Sequence, residues 1–178
     1  KKAAKADAKA DKKAKKKKKK HKKKDKKAAP QPLDRKLKIL GVGIGGRGAS
    51  VLKGLETEEI IGLCDVDWKY AAHIFERYPN AKRYNDYRVM FKELLDEADA
   101  VMVATADHTH AIIAAEAIAA GKHVYVEKPL THTVYESRLL TKLAAKHKVA
   151  TQMGNQGASE EGVNLACEWL WNGESGEV

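Results

Sequence analysis

The sequence is poor in several features that define particular classes of protein. Its 178 residues include two cysteines, Cys64 and Cys167, which are too few for a disulfide framework. It has no run of about 20 apolar residues, so no segment is expected to span a membrane. No cleavable leader is visible, which favours a cytoplasmic protein. The chain opens on Lys1 rather than methionine, however, and earlier removal of a leader would indicate an exported or periplasmic protein.

Residues 1–29 lack aromatic residues, arginine and any apolar residue larger than alanine. They hold 17 lysines and three aspartates, so the rest of the chain has a net charge of −4 although the total is +10. Such a segment cannot bury enough surface to offset its ordering entropy, and residues 1–35 are expected to be a disordered tail and linker. We favour a solvated extension over an arm that binds nucleic acid or another polyanion, because nothing in it suggests specific recognition.

From about residue 36, short apolar strands alternate with amphipathic helices, the pattern typical of a parallel α/β sheet. Strands are predicted over 37–42, 60–64, 82–84, 100–104, 124–126 and 149–153. Helices are predicted over 46–55, 68–77, 87–95, 110–120, 134–146 and 160–171. We therefore expect an α/β fold with a doubly wound parallel sheet over residues 36–157.

A glycine-rich segment, GIGGRG at residues 43–48, follows the first predicted strand. Gly43, Gly45 and Gly48 fit the G-x-G-x-x-G pattern of dinucleotide-binding turns. In that pattern the glycines permit a tight turn, close approach to a pyrophosphate and close packing of the next helix. The amino end of that helix attracts phosphate. Cofactor contacts are therefore expected from Gly43, Gly45, Gly46, Arg47 and Gly48.

An acidic residue follows the second predicted strand. Asp65 lies 20 positions after Gly45, where a carboxylate can bind both hydroxyls of an adenosine ribose. Strand, glycine turn, helix, strand and acid together predict a dinucleotide site. NAD is the expected cofactor, because a carboxylate repels the 2′-phosphate of NADP. Lys69 and Arg47 nearby leave NADP open.

Polar residues follow the carboxyl ends of five predicted strands, and a doubly wound sheet brings those ends to one edge. The five stretches are 43–48, Asp65, 105–110, 127–128 and 154–156. Thr105 and His108 are expected to line the cofactor pocket, and His110 is expected to pack at the start of a helix. No metal site is expected, because two histidines at i and i+2 do not converge and no other ligands complete a set.

The segment 121–129, GKHVYVEKP, places a carboxylate and an amine at the end of a short buried strand that a proline stops. A lysine at this edge can move a proton or hold a developing oxyanion. Lys128 is therefore the expected catalytic residue, and the alternative is a surface lysine beside Pro129.

Together these motifs resemble the Gfo/Idh/MocA family of oxidoreductases. The residues that carry the resemblance are 43–48, 64–67, 107–110, 120–129 and TQMGNQG at 151–157. The resemblance implies a Rossmann domain followed by a substrate domain whose sheet covers the nicotinamide. It also implies that Lys128 contacts the substrate hydroxyl, Glu127 the nicotinamide ribose and Asp65 the adenosine ribose. Asn155 and Gln156 follow the sixth strand, where they hydrogen-bond the cofactor or the substrate or cap a turn.

The resemblance implies hydride transfer between a nicotinamide cofactor and a sugar, polyol or related alcohol, by a protein that forms a homo-oligomer. Residues 158–178 are then expected to be a connecting helix and the start of a truncated substrate domain. An NAD-dependent glycoside hydrolase of the same family is the first alternative. A non-catalytic fragment that binds a dinucleotide or, through its tail, a polyanion is the second.

Overall fold

The computed structural model describes residues 34–176. The disorder predicted for the tail concerns residues that lie almost entirely outside this range. None of the helices in the described range is long and apolar enough to cross a membrane.

The described residues form one six-stranded sheet in which every pair of neighbouring strands is parallel. The strands are β1 (Lys38–Val42), β2 (Glu59–Cys64), β3 (Lys82–Tyr84), β4 (Ala100–Val103), β5 (His123–Glu127) and β6 (Thr151–Gly154). Their order is β3-β2-β1-β4-β5-β6. This order reverses direction between β1 and β4, and ligands of open α/β sheets bind beside such a reversal.

Six α-helices connect or follow these strands in the described part of the chain. They are α1 (Gly46–Lys53), α2 (Ala72–Arg77), α3 (Tyr87–Leu94), α4 (His110–Ala119), α5 (Val134–His147) and α6 (Glu161–Trp171). The longest, α5, begins with a capping box in which Thr133 and Glu136 each bond the other's main-chain N–H. Such reciprocal bonds satisfy two of the donors that a helix start leaves unpaired.

The predicted start of the second helix was wrong. The prediction placed it at residue 68, but α2 begins at Ala72. The Asp67 carboxylate accepts a hydrogen bond from the main-chain N–H of Tyr70 at 2.9 Å, and the Asp67 carbonyl oxygen accepts one from that of Ala71 at 3.0 Å, so Asp67 caps a single turn over residues 68–71. The N–H of Ala72 then bonds to the carbonyl oxygen of Lys69, at 3.5 Å, instead of that of Trp68, so the regular helix starts only after this turn. The other predicted helices and all six strands match the observed elements to within about two residues.

Helices cover both faces of the sheet, as a doubly wound fold requires. On one face the core joins the strands to α3, α4 and α5 through Met90, Phe91, Ile113, Ile118 and Leu140. On the other face it joins them to α1 and α2 through Leu52, Ile74 and Phe75. The side chains of β5 alternate between these faces. Tyr125 and Glu127 therefore point to the side that α1 occupies, while Val124 and Val126 point away from it.

Candidate functional site

A cleft of about 600 Å³ opens at the carboxyl ends of β1 to β4. Its volume lies within the range of about 300–1,000 Å³ that is usual for sites of small ligands. Seven of the predicted cofactor-binding residues line it: Gly43, Gly45, Gly46, Arg47, Asp65, Thr105 and His108. The cleft is therefore the point at which the turns after β1, β2 and β4 meet.

At two positions of the glycine turn, neighbouring main-chain atoms leave no room for a side chain. Gly43 has φ +76°, and a Cβ atom there would lie 2.7 Å from the main chain of Ala104. Gly48 is buried on α1, and a Cβ atom there would lie 1.9 Å from the carbonyl oxygen of Gly43. Gly48 does not line the cleft. It lets α1 start directly against the turn, which is the role predicted for the third glycine.

Asp65 holds the glycine turn in place. Its Oδ2 atom accepts hydrogen bonds from the N–H groups of Ile44 and Gly45 at 2.8 and 3.0 Å. Its Oδ1 atom accepts one from the N–H group of Asp67 at 3.0 Å. A carboxylate has about four acceptor positions, so a ribose hydroxyl can still bond to Asp65 while the turn stays closed. Ribose binding by Asp65 remains a prediction.

The turn after β4 carries two threonines and two histidines. The Thr109 hydroxyl lies 2.7 Å from the Thr105 hydroxyl, and His108 is exposed on the cleft wall. His110 is only 1% exposed. Its Nδ1 atom lies 2.6 Å from the carbonyl oxygen of Pro129 and its Nε2 atom 3.0 Å from that of Thr105. His110 thus packs at a helix start, as predicted, and also ties the turn after β4 to the turn after β5.

Glu127 at the end of β5 is only 3% exposed. Its Oε1 atom accepts hydrogen bonds from Arg47 Nε at 2.9 Å and from the Tyr125 hydroxyl at 3.2 Å. Its Oε2 atom accepts one from the main-chain N–H of Lys128 at 3.2 Å. Burial raises the pKa of the Glu127 carboxyl, but the bonds from Arg47 and Lys128 outweigh burial and hold this pKa below its usual value. Glu127 is therefore a buried carboxylate paired with the glycine turn.

Lys128 and Asn155 do not line the cleft. Both side chains are exposed, and each follows its strand at the same edge of the sheet. Gly154, which precedes Asn155, pairs with Glu127 across the sheet, and a Cβ atom at Gly154 would lie 2.6 Å from Glu127 Oε1. The structure therefore places Asn155 beside the Glu127–Lys128 segment, beyond the cleft that the glycine turn forms.

Several cleft residues were missed at the sequence level. The ring of Tyr70 lies against the glycine turn, since a Cβ atom at Gly45 would lie 2.4 Å from its Cδ1 atom. Residues 85–88, which follow β3, also line the cleft. The strand-end rule that selected the other stretches applies equally to β3, so that rule could have found them. Tyr70 lies in a stretch predicted as helix, and no sequence signal placed it here. In residues 34–176 no group of histidine, cysteine and acidic side chains is arranged to hold a metal ion.

A parallel sheet of this strand order, with a glycine turn after β1 and an acid after β2, defines a Rossmann domain that binds NAD. The profile described as "Oxidoreductase family, NAD-binding Rossmann fold" matches residues 36–155. The chain belongs to this family, Gfo/Idh/MocA, as the resemblance had indicated.

Individual relatives agree with the family. Inositol 2-dehydrogenase of Salmonella typhimurium is 27% identical over 149 residues, which cover 80% of this chain and 43% of that protein. A glycosyl hydrolase family 109 protein of Shewanella putrefaciens is 32% identical over 105 residues, which cover 53% of this chain and 23% of that protein. The crystal structure of GenD2 from gentamicin A biosynthesis, in complex with NAD, is 30% identical with a TM-score of 0.59, and the match covers 71% of this chain and 37% of that chain. The chain thus spans less than half the length of these relatives.

Proposed function

We propose that the chain is the cofactor-binding part of an NAD-dependent oxidoreductase that acts on a sugar, a polyol or a related alcohol. The observation that carries this proposal is the bond between Arg47 of the glycine turn and Glu127, the residue before Lys128. It joins the segment suited to a dinucleotide to the segment suited to proton transfer. The dehydrogenase among the relatives supports the substrate class.

The start of α1 fits a diphosphate. It has no side-chain cap and no acidic residue in its first turn, so the first N–H groups of the helix are left for a ligand. Gly45 and Gly46 carry no side chain of their own that would keep a phosphate away from these groups, and the Tyr70 ring, which lies against both glycines, must move aside to admit one. The positive end of the helix dipole favours an anion. When bound, NAD supplies the hydride acceptor of the reaction.

The proposed roles of the protein residues follow from their places at the edge. Asp65 binds the adenosine ribose, Glu127 helps to seat the nicotinamide ribose, and Lys128 takes the hydroxyl proton of the substrate. Oxidation of an alcohol carbon requires that proton to leave as the hydride departs, and the exposed Lys128 side chain at the end of β5 can accept it as a neutral amine, which becomes an ammonium ion. The remaining predicted contacts are Thr105, His108 and Asn155.

The division of the chain that we propose is the one predicted from the sequence. Residues 36–157 bind the cofactor, and residues 158–178, which include α6, lead toward a substrate-binding part. Formation of a homo-oligomer belongs to the same proposal.

Titration of NAD against the 178-residue chain tests the cofactor part of the proposal. We expect binding by calorimetry, weaker binding of NADP, and at least a 10-fold loss of NAD affinity in Asp65→Ala, because a charged hydrogen bond contributes about 1.5–3 kcal/mol. Asp96→Ala is the matched control, since Asp96 is exposed and lies outside the cleft. Absence of NAD binding by the unsubstituted chain would contradict the proposal.

Glycoside cleavage with tightly held NAD is the second candidate, and the 32% identity to a glycosyl hydrolase family 109 protein favours it. The two functions differ in their net use of NAD. Release of the phenol from an aryl glycoside with no net formation of NADH would favour glycoside cleavage. NADH formation in proportion to an oxidised polyol would favour the dehydrogenase.

A further inference from the structure

Arg47 connects the glycine turn to the end of β5 although 80 residues separate Arg47 from Glu127 in the sequence. The guanidinium reaches across the sheet edge from α1, because Glu127 points to the face that α1 covers. The side chain of Arg47 is 44% exposed, whereas that of Glu127 is 4% exposed. One end of this ion pair is therefore open to the cleft, and the other lies inside the protein.

Glu127 also forms a hydrogen bond with Lys128. One oxygen of its carboxylate faces Arg47 and Tyr125, and the other accepts the main-chain N–H of Lys128. A movement of this carboxylate would therefore change the position of the Lys128 main chain. His110 provides a second link to this segment through the carbonyl of Pro129, but that link starts from the turn after β4 and contains no group suited to a phosphate.

The ionised state of the buried Glu127 carboxylate depends on its pairing with Arg47. An ionised group removed from water needs an opposite charge and hydrogen bonds, and removal of one partner leaves an uncompensated charge. Without Arg47, the Glu127 carboxylate must take up a proton or turn toward water. Either event would alter its bond to the Lys128 N–H.

The bond to Glu127 uses only the Nε–H of Arg47. A guanidinium has five N–H donors in a fixed fork, and a phosphate oxygen suits the terminal ones. Arg47 lines the cleft next to Gly45 and Gly46, where the diphosphate lies according to the proposed function. The same side chain can therefore contact a phosphate and a buried carboxylate at once.

We propose that Arg47 is a positioning residue that couples diphosphate binding to the placement of Lys128 through Glu127. This inference rests on the proposed function, because it requires phosphates at the glycine turn. It goes further than that function because Arg47 contacts the diphosphate and the Glu127 carboxylate at the same time. The part of the ligand that moves Lys128 is then the diphosphate rather than the nicotinamide.

Nuclear magnetic resonance of the ¹⁵N-labelled chain tests this coupling, with the amide of Lys128 assigned by triple-resonance spectra. We expect ADP, which has the diphosphate but no nicotinamide, to shift the Lys128 amide resonance as NAD does, and adenosine to leave it unchanged. In Arg47→Met saturated with ADP, the resonance should stay at its ligand-free position, and ADP affinity should fall about 10-fold. Arg138→Met is the matched control, because Arg138 is an exposed arginine on α5 outside the cleft.

A pH series on the ligand-free chain provides a second readout. In the unsubstituted chain, protonation of Glu127 should perturb the Lys128 amide only below the ordinary carboxyl pKa of 4.5, because Arg47 lowers the pKa of Glu127. In Arg47→Met the perturbation should move to higher pH. Arg47→Lys keeps the charge without the fork, so it should restore the pH profile more fully than the ADP response. If Arg47→Met does not fold, Arg47→Lys can be measured in its place.

The outcomes separate this inference from the proposed function. A full Lys128 response to ADP in a folded Arg47→Met chain would overturn the coupling while leaving NAD binding intact. A response to NAD but not to ADP would also overturn it, because the nicotinamide would then act directly. Failure of the unsubstituted chain to bind either ligand would overturn both proposals.

Discussion

Gly48 lies so close to Gly43 that a single added carbon atom would meet the main chain, since a Cβ atom at Gly48 would lie 1.9 Å from the carbonyl oxygen of Gly43. The two glycines belong to one turn, and Gly48 also begins the contact of α1 with the sheet. The distance between α1 and the sheet is therefore set by the absence of a side chain at residue 48.

Gly48→Ala should destabilise the protein by about 1–3 kcal/mol, the usual cost of overpacking a core. It should also weaken NAD binding, because α1 must move away from the turn. Urea unfolding and calorimetric titration measure the two effects. Gly162→Ala is the control, since nothing lies within 4 Å of the added carbon and alanine favours a helix by roughly 1 kcal/mol over glycine. Equal stability of the two variants would contradict the packing argument.

The fold was predictable because local pattern and tertiary structure agree along the chain. Apolar stretches bounded by glycine, proline and polar residues predicted the strands other than β3, which reads Lys-Arg-Tyr. The alternation of strand and helix predicted β3 and the parallel sheet. The late start of α2 was not predictable from periodicity, since it depends on the N–H of Ala72 bonding to the carbonyl of Lys69 rather than to that of Trp68.

The sequence predicted which residues lie at the strand ends that form the site, but not which of them contact one another. The topology brings Asp65, Thr105 and Glu127 to one edge, as the rule for parallel sheets requires. Which of them share a contact depends on side-chain reach and on which face each residue occupies. The pairing of Arg47 with Glu127 therefore could not be predicted before α1 was placed on the sheet face to which Glu127 points.

Removal of the His110 imidazole should destabilise the junction of two turns. His110 is buried, and its two ring nitrogens face the main-chain carbonyls of Thr105 and Pro129. A neutral imidazole donates to one of these carbonyls, and His110→Phe removes that hydrogen bond, which should cost about 0.5–1.5 kcal/mol. His110→Asn keeps one donor group and should cost less. Urea unfolding gives the free energies, and a phenylalanine variant as stable as the parent would show that these two contacts do not stabilise the fold.

Acid should remove the stabilising effect of Asp99. The Arg35 guanidinium donates two hydrogen bonds to the Asp99 carboxylate and the main-chain N–H of Lys38 donates a third. The bond from Arg35 is the largest cause that holds the pKa of Asp99 well below its ordinary value of 3.8. A folded-state pKa below the unfolded value stabilises the protein above the unfolded pKa, and the effect disappears as the pH falls toward the folded pKa.

Asp99→Asn should therefore lower the free energy of unfolding at neutral pH, and the difference from the parent should shrink progressively below about pH 4. Urea unfolding at a series of pH values measures it. Asp96→Asn is the matched control, because its exposed carboxylate accepts no hydrogen bond among the described residues. A difference that stays constant down to strongly acidic pH would contradict this assignment.

The two cysteines should differ sharply in reactivity. Cys64 is 3% exposed at the end of β2, and burial, with smaller contributions from Asp65 and Asp86, raises the pKa of its thiol to about 12. Because the thiolate is the reactive form, Cys64 should resist a thiol reagent at neutral pH. Cys167 on α6 is less buried and should react first.

Mass spectrometry of the labelled chain separates the two sites, and the Cys167→Ser variant leaves only Cys64 to be followed. Labelling of Cys64 in that variant should require unfolding, so its rate should rise with urea along the unfolding transition. Rapid labelling of Cys64 in the folded chain would mean that the carboxyl end of β2 opens to solvent, and that the floor of the cleft is less closely packed than its contacts indicate.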